Sequence, residues 1–274
     1  MMDTFKMLRT ALFVPGTRPE RFAKAVASGA DAVIIDLEDA VERDAKDIAR
    51  KNLGQFAADN PHTAFLVRVN DAGAPWFNAD LGVCGELPNV VGILLPKAES
   101  AEQVGDASAA GKPVFPIVES ARGLQALDAI AGAPSVSRLT FGALDLMLDL
   151  GITPDTSAAA MLLNQVRYHV LVQSRVHGLN SPIDTIHPDF ADTEGLVVAA
   201  GQACDMGFGG MLCIHPAQVE VVHRAFMPSS QELAWARRVV EQADASGSYA
   251  FKLDGKMVDL PVIERARRTV ARAG

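Results

Sequence analysis

Cysteine is scarce. Cys84, Cys204 and Cys213 stand far apart among 274 residues and form no C-x-x-C pair. Neither a disulfide framework nor a zinc site is indicated, and the three are expected to be ordinary buried or semi-buried thiols. Aromatic residues make up 6%, and Trp76 and Trp235 are isolated, so no base-stacking platform is visible. Positive charge is outnumbered, with Lys+Arg 25 against Asp+Glu 33, a net charge of −8. That balance argues against a broad grip on nucleic acid and leaves room only for a local basic pocket. No apolar run approaches the roughly 20 residues that span a bilayer. The stretch from Met1 to Arg9 lacks the apolar core of a secretory leader, so no membrane partner and a cytoplasmic location are the expectation. No Pro/Gly/Ser-rich linker, charge block or low-complexity segment interrupts the chain. What remains is 49% hydrophobic and 21% charged, a globular composition able to bury a sizeable core.

Short runs rich in Val, Ile, Leu and Phe alternate with longer amphipathic stretches, the pattern of parallel strands covered by helices. The strand-like runs are Thr10–Val14, Ala32–Ile35, Ala64–Val69, Val90–Leu95, Val114–Val118, Arg138–Phe141, Pro182–Thr185 and Gly210–Ile214. Helices are expected over Pro19–Ser28, Arg43–Ala58, Ala101–Ala110, Gly123–Ala131, Ala158–His177 and Thr193–Met206. Eight repeats of this kind suggest an α/β fold, a closed (β/α)8 TIM barrel, with an open doubly wound sheet as the alternative. We assign residues 1–230 to the barrel and residues 231–274 to a C-terminal helical extension. Two helical stretches there, Gln231–Ala245 and Pro261–Arg272, are separated by Ser246–Gly255. Such a surplus element packs on its own barrel or on a neighbouring subunit.

In a parallel barrel the functional groups gather at the C-terminal ends of the strands. Glu119 and Asp145 end the fifth and sixth runs. Convergent carboxylates without His or Cys favour a hard cation such as Mg²⁺, although a lone acid after a strand also serves as a helix cap. Arg68 interrupts an apolar strand, so it requires an anionic partner, either an internal carboxylate such as Glu38 or a substrate carboxylate. Gly142 and Ala143 are small enough for their amides to approach an anionic oxygen; a tight-turn glycine is the plainer reading. Thr17, Arg18 and Lys24, around the start of the first helix, make a weak candidate anion site for a phosphate. There is no P-loop ending and no G-x-G-x-x-G after that strand. Of the six histidines, His62, His169, His177 and His223 read as surface or packing residues. His187 and His215 follow strands, and His215 suits a helix start beside Pro216.

These residues carry a family resemblance. The stretches Arg9–Gly16, Gly29–Val41, Val67–Asn70, Leu95–Glu99, Pro116–Glu119, Phe141–Asp145, Ile214–Gln218 and Gly255–Pro261, together with Lys24, resemble the citrate lyase β-subunit-like branch of the HpcH/HpaI aldolase superfamily. The likeness runs in order along almost the whole chain. It implies a (β/α)8 fold, a homotrimer or hexamer, and cleavage of carbon–carbon bonds in 3-hydroxyacyl-CoA thioesters. It also implies Glu119 and Asp145 as ligands of Mg²⁺ or a substituting Mn²⁺, with Arg68 and the Gly142 and Ala143 amides holding the oxo acid. Thr17, Arg18 and Lys24 would face coenzyme A, Glu38 with Asp39 would support the metal and Arg68, and Arg68, Asp259 and Glu38 would be the catalytic residues. Asp259 matches an aspartate delivered by a neighbouring subunit's C-terminal segment, where it serves as a proton donor.

Related metal-dependent pyruvate aldolases carry a histidine base soon after strand two, and Asp36–Val41 has none, which favours the CoA-thioester lyases. The resemblance is best to short stand-alone citramalyl-CoA lyases or citrate lyase β proteins. The preferred expectation is (S)-citramalyl-CoA to acetyl-CoA and pyruvate. A citrate lyase β subunit, a malyl-CoA lyase or malate-synthase-like enzyme, and more remotely a non-catalytic scaffold are the alternatives. Lys97, at the end of strand four, is the one Schiff-base candidate, and this chemistry does not require it.

Overall fold

The computed structural model describes residues 7–273. The chain forms two compact units, one ending at His223 and the other beginning at Arg224. The first unit opens with β1 (Thr10–Pro15), α1 (Phe22–Val26), β2 (Ala32–Asp36), α2 (Lys46–Asp59), β3 (Phe65–Arg68), α3 (Phe77–Glu86), β4 (Val90–Leu95) and α4 (Ala101–Ser108). It continues with β5 (Val114–Val118), α5 (Ala121–Gln125), α6 (Leu127–Ala131), β6 (Thr140–Phe141), α7 (Ala143–Asp149), α8 (Ser157–Val176), β7 (Ile183–Asp184), α9 (Thr193–Met206) and β8 (Gly210–Cys213). Helix α10 (Pro216–Phe226) runs across the border between the units.

The parallel strands are ordered β6-β5-β4-β3-β2-β1-β8-β7. Neighbours in space are neighbours in sequence, without the reversal that defines a doubly wound sheet. Across the remaining seam, Ile183 N–H donates to Leu139 O at 3.0 Å, so the sheet curls into the expected barrel. Side chains alternate across each strand. Ala32, Ile34, Leu66, Phe115, Ile117 and Leu212 belong to one cluster, while Val33, Ile35, Phe65 and Val67 are equally buried outside it. Each buried Val, Ile, Leu or Phe among them contributes about 1.5–3 kcal/mol. Polar residues before several helices act as N-caps: Ser100 for α4, Ser120 for α5, Thr156 for α8 and Asp192 for α9 each accept a backbone N–H.

Some boundaries differ from the expectation. The helix expected over Gly123–Ala131 breaks at Ala126 into α5 and α6. The sixth strand is only Thr140–Phe141, and buried Arg138 just before it donates to Ser181 O instead of extending an apolar run. The first helix begins as a 3₁₀ turn, Pro19–Arg21.

The second unit contains α11 (Ser230–Ser246), β9 (Ala250–Leu253), β10 (Lys256–Asp259) and α12 (Leu260–Arg272). Its core is Ala236, Val239, Ala243, Val258, Ile263 and Ala266. Helix α11 starts with a complete capping box, Ser229 with Glu232. The separator expected between its helices is partly an antiparallel hairpin turning at Asp254-Gly255, with φ +49° and +79°. Asp-Gly is a strong hairpin signal, because both central residues must adopt left-handed backbone. Among the described residues no helix is long and apolar enough to cross a membrane.

Candidate active site

The parallel register places Asp36, last in β2, beside Arg68, last in β3. Arg68 Nε donates to Asp36 Oδ1 at 2.7 Å and Nη2 to Oδ2 at 2.6 Å, a two-pronged pair. Its Nη1 lies 3.1 Å from Glu38 Oε2 and 3.7 Å from Asp39 Oδ2. The guanidinium sits 4.9 Å from the Phe13 ring centre. Burial opposes its charge, but Asp36, Glu38 and Asp39 outweigh burial and hold its pKa above the ordinary value. The loop carrying these acids is itself fixed. Asp36 accepts the N–H groups of Glu38 and Ala40, while buried Lys46 donates to Leu37 O and Glu38 O at 2.7 and 2.8 Å.

Strand β4 leads into Lys97, whose φ is +50°. Its N–H donates to Glu119 Oε1 at 2.7 Å, and its ammonium bonds Glu38 Oε1. Burial opposes the ammonium too, yet the hydrogen bond to Glu38 and the surrounding carboxylates raise its pKa, which favours an ion-pair role over that of an amine nucleophile. Glu119, 5% exposed, is pushed up to about 7. Burial is the main cause, and Glu38 and Asp145 add to it against the Lys97 N–H and Arg68. A Cβ at residue 142 would overlap Glu119 Oε2, so glycine is required there to seat this carboxylate.

A cavity of about 300 Å³ opens among these groups, with Asp36, Asp39, Arg68, Glu119 and Asp145 on its wall and Phe13, Ile117 and Phe141 as apolar lining. Around it five carboxylates, counting Glu38, face three cations, Arg68, Lys97 and the Lys46 ammonium that interacts with Asp36, Glu38 and Asp39. With all eight charged, two negative charges remain uncompensated.

Arg68, Glu119, Asp145, Gly142 and Ala143 thus share one cavity. Glu38, expected to be catalytic, is not on the wall; it is a buried tie between Arg68 and Lys97. The expected amide donors are engaged: Gly142 N–H donates to Val118 O at 3.1 Å in the sheet, and Ala143 N–H to Thr185 Oγ1 at 3.1 Å. In this structure, then, Gly142 contributes room rather than a donor. Thr17 is half-buried, and Arg18 and Lys24 are exposed. Arg18 donates to Glu20 at 2.6 Å, and none of the three reaches the cavity wall. In the second unit, exposed Asp259 caps α12 by accepting the Val262 N–H at 3.3 Å. His215 Nδ1 accepts the Ala217 N–H at the start of α10, as expected of a helix-start residue. Cys84 and Cys213 are buried, and burial pushes both thiols up to about 12.

The sequence reading gave Asp36 and Thr185 no place in the site and considered Lys97 only as a Schiff-base candidate, not as a partner of Glu38 and Glu119. For Asp36 a signal existed, since opposite charges ended two adjacent parallel strands. For Thr185 it was fainter, a hydroxyl directly after Asp184 in β7.

A parallel barrel whose mouth gathers carboxylates around one half-buried arginine falls among the barrel carbon–carbon lyases. The chain belongs to the HpcH/HpaI aldolase/citrate lyase family, whose model matches residues 9–216. It is 40% identical to a citrate lyase subunit beta-like protein of Mycobacterium tuberculosis, over 96% of this chain and 94% of that one. It is 37% identical to a (3S)-malyl-CoA thioesterase of Cereibacter sphaeroides, over 97% and 94%. The crystal structure of CitE from Mycobacterium tuberculosis, in complex with magnesium, acetoacetate and coenzyme A, matches with a TM-score of 0.85 and 37% identity, covering 98% of each chain.

Proposed function

We propose that the chain is a Mg²⁺-dependent lyase that cleaves a 3-hydroxyacyl-CoA thioester to acetyl-CoA and a 2-oxo acid, with (S)-citramalyl-CoA to acetyl-CoA and pyruvate as the preferred case. The observation that carries this reading is Glu119, a carboxylate pushed up to about 7 in a cavity with uncompensated negative charge. A divalent cation would relieve that imbalance. Among the described residues no group of three His, Cys, Asp or Glu side chains is arranged as a metal cage. The Glu119 and Asp145 pair fits Mg²⁺, which takes one or two carboxylates and completes its shell with waters and substrate oxygens; Mn²⁺ would substitute. The magnesium and coenzyme A bound by the related CitE support this choice.

The bound ion supplies Lewis acidity and a template for the substrate oxygens. Arg68, anchored on Asp36, offers its remaining N–H groups to the charge that develops on the oxo acid. Phe13, Ile117 and Phe141 keep the reacting atoms in an apolar surround, which strengthens these interactions. In the cleavage the hydroxyl proton passes to one of the cavity's carboxylates, the carbon–carbon bond breaks, and its electron pair passes to the thioester enolate. Asp259 of a neighbouring copy, in a trimer or hexamer, then gives the enolate carbon a proton and acetyl-CoA is complete. Ala143 N–H exchanges Thr185 for a substrate oxygen, and Thr17, Arg18 and Lys24 face coenzyme A.

The test is a cleavage assay on malyl-, citramalyl- and citryl-CoA, following acetyl-CoA, free CoA and oxo acid with a chelator control. Chelator-sensitive acetyl-CoA with an equal amount of oxo acid is expected. Free CoA without oxo acid would mean hydrolysis, as in the malyl-CoA thioesterase relative, and would overturn the reading. Silence on all three by folded, metal-loaded protein overturns it in favour of a thioester carried on a partner protein.

A further inference from the structure

Lys97 is one of four non-glycine residues with positive φ among those described, and the only one of them in contact with the site's carboxylates. Left-handed backbone is unfavourable for an L-residue and persists where surrounding contacts over-determine it. Here the contacts are visible. On one side Leu95 is held in the β4–β5 ladder, and on the other Ala98 N–H donates to Ile117 O at 3.1 Å. Between these fixed points, the turn at Lys97 sends its N–H to Glu119 and its ammonium to Glu38. Glu38 is also the neighbour of Arg68, so one residue links the two carboxylates that flank the cavity's cationic and anionic halves.

We infer that Lys97 is a positioning residue: its bond to Glu38 holds the backbone left-handed, and that backbone in turn holds Glu119 in place to receive a divalent cation. The inference rests on Glu119 and Asp145 forming the metal site, and it separates from a simple charge role by a difference in sign. If the ammonium acted only as a nearby positive charge, any neutral replacement would strengthen cation binding, and all neutral replacements would do so alike. If it acts by holding the backbone, the result depends on whether the replacement tolerates positive φ.

The experiment is Mn²⁺ titration by calorimetry on the wild type and on Lys97→Gly, Lys97→Asn and Lys97→Met, with thermal melts to confirm folding. Gly and Asn accept left-handed backbone and Met does not. Lys97→Gly and Lys97→Asn are expected to bind at least as tightly as the wild type, and Lys97→Met about tenfold more weakly than Lys97→Gly. Equal tightening in all three overturns the inference. If Lys97→Met fails to fold, Lys97→Gln, which also resists left-handed backbone, takes its place: binding as tight as that of Lys97→Gly overturns the inference, and so does weaker binding than wild type by both Lys97→Gly and Lys97→Asn. No Mn²⁺ binding by the wild type would overturn the metal reading itself, and the inference with it.

Discussion

At the N-terminal end of the barrel, Asp31 accepts from Arg9 N, Nε and Nη2 and from Thr10 N, at 2.7 to 3.2 Å, with His223 Nε2 3.3 Å away. Burial alone would raise its pKa, but the Arg9 donors outweigh burial and hold it below the ordinary value. At the opposite end Glu119 has one backbone N–H, faces Glu38 and Asp145, and is pushed up to about 7. The same functional group is thus saturated with donors at one end and short of positive charge at the other. The first arrangement is complete within the chain and serves the fold. The second becomes complete only with a ligand, and it lies where barrels of this kind place their chemistry.

The comparison breaks most sharply at Glu119. Glu119→Gln removes a proposed metal ligand, and loss of a Lewis acid worth several kcal/mol corresponds to a drop in kcat of about a thousandfold or more. The thermal midpoint should hold or rise, because a neutral amide is cheaper to bury than a carboxylate. Steady-state kinetics with excess Mg²⁺ and a melting curve check both, and near-normal kcat would remove Glu119 from the metal site.

Asp36→Asn tests a finished pair inside the unfinished end. It takes the charge from a 1%-exposed partner of Arg68, and breaking such a pair costs about 3–5 kcal/mol. Urea unfolding should show that loss together with reduced activity. An unchanged midpoint would mean that Glu38 alone can anchor Arg68.

The two ends also carry opposite pH signatures. Glu119 is raised from 4.5 to about 7, so its contribution to stability is present below about 4.5 and lost as the pH climbs through 7. Metal-free protein should therefore lose thermal stability across that window, and saturating Mg²⁺ should flatten the loss. Since a proton competes with the metal, kcat/KM should fall by up to about tenfold per unit below pH 7. Both trends vanish in Glu119→Gln if the assignment is right.

Much of this site is legible in the amino-acid sequence. Apolar runs alternating with amphipathic stretches, an arginine interrupting one run and carboxylates following two others locate Arg68, Glu119 and Asp145, because the ends of parallel strands gather on one face of a barrel. What stayed hidden depends on register and backbone conformation. Nothing in the residue type of Lys97 announces a φ of +50°, which arises from partners on β5 and in the loop after β2. The Gly142 amide looked free in sequence, yet the β5–β6 ladder places it on Val118 O. Asp254-Gly255 is the reverse case, a hairpin signal present in the sequence and passed over because the flanking strands are largely exposed and lack an apolar run.

Asp31→Asn is the smallest change and the control for the whole comparison. The amide keeps some of the acceptor geometry but gives up the charge that Arg9 neutralises, so a loss of about 1 kcal/mol is expected at neutral pH. The sign of its pH dependence is opposite to that of Glu119. A depressed carboxylate contributes stability above its unfolded value of 3.8, lost as the pH falls through its lowered folded value, so wild type and variant should converge in strong acid. Because this cluster lies at the strand starts, kcat and Mn²⁺ affinity should be unchanged. An effect on either would show that the two ends are energetically coupled, and the division between a finished end and a waiting one would no longer stand.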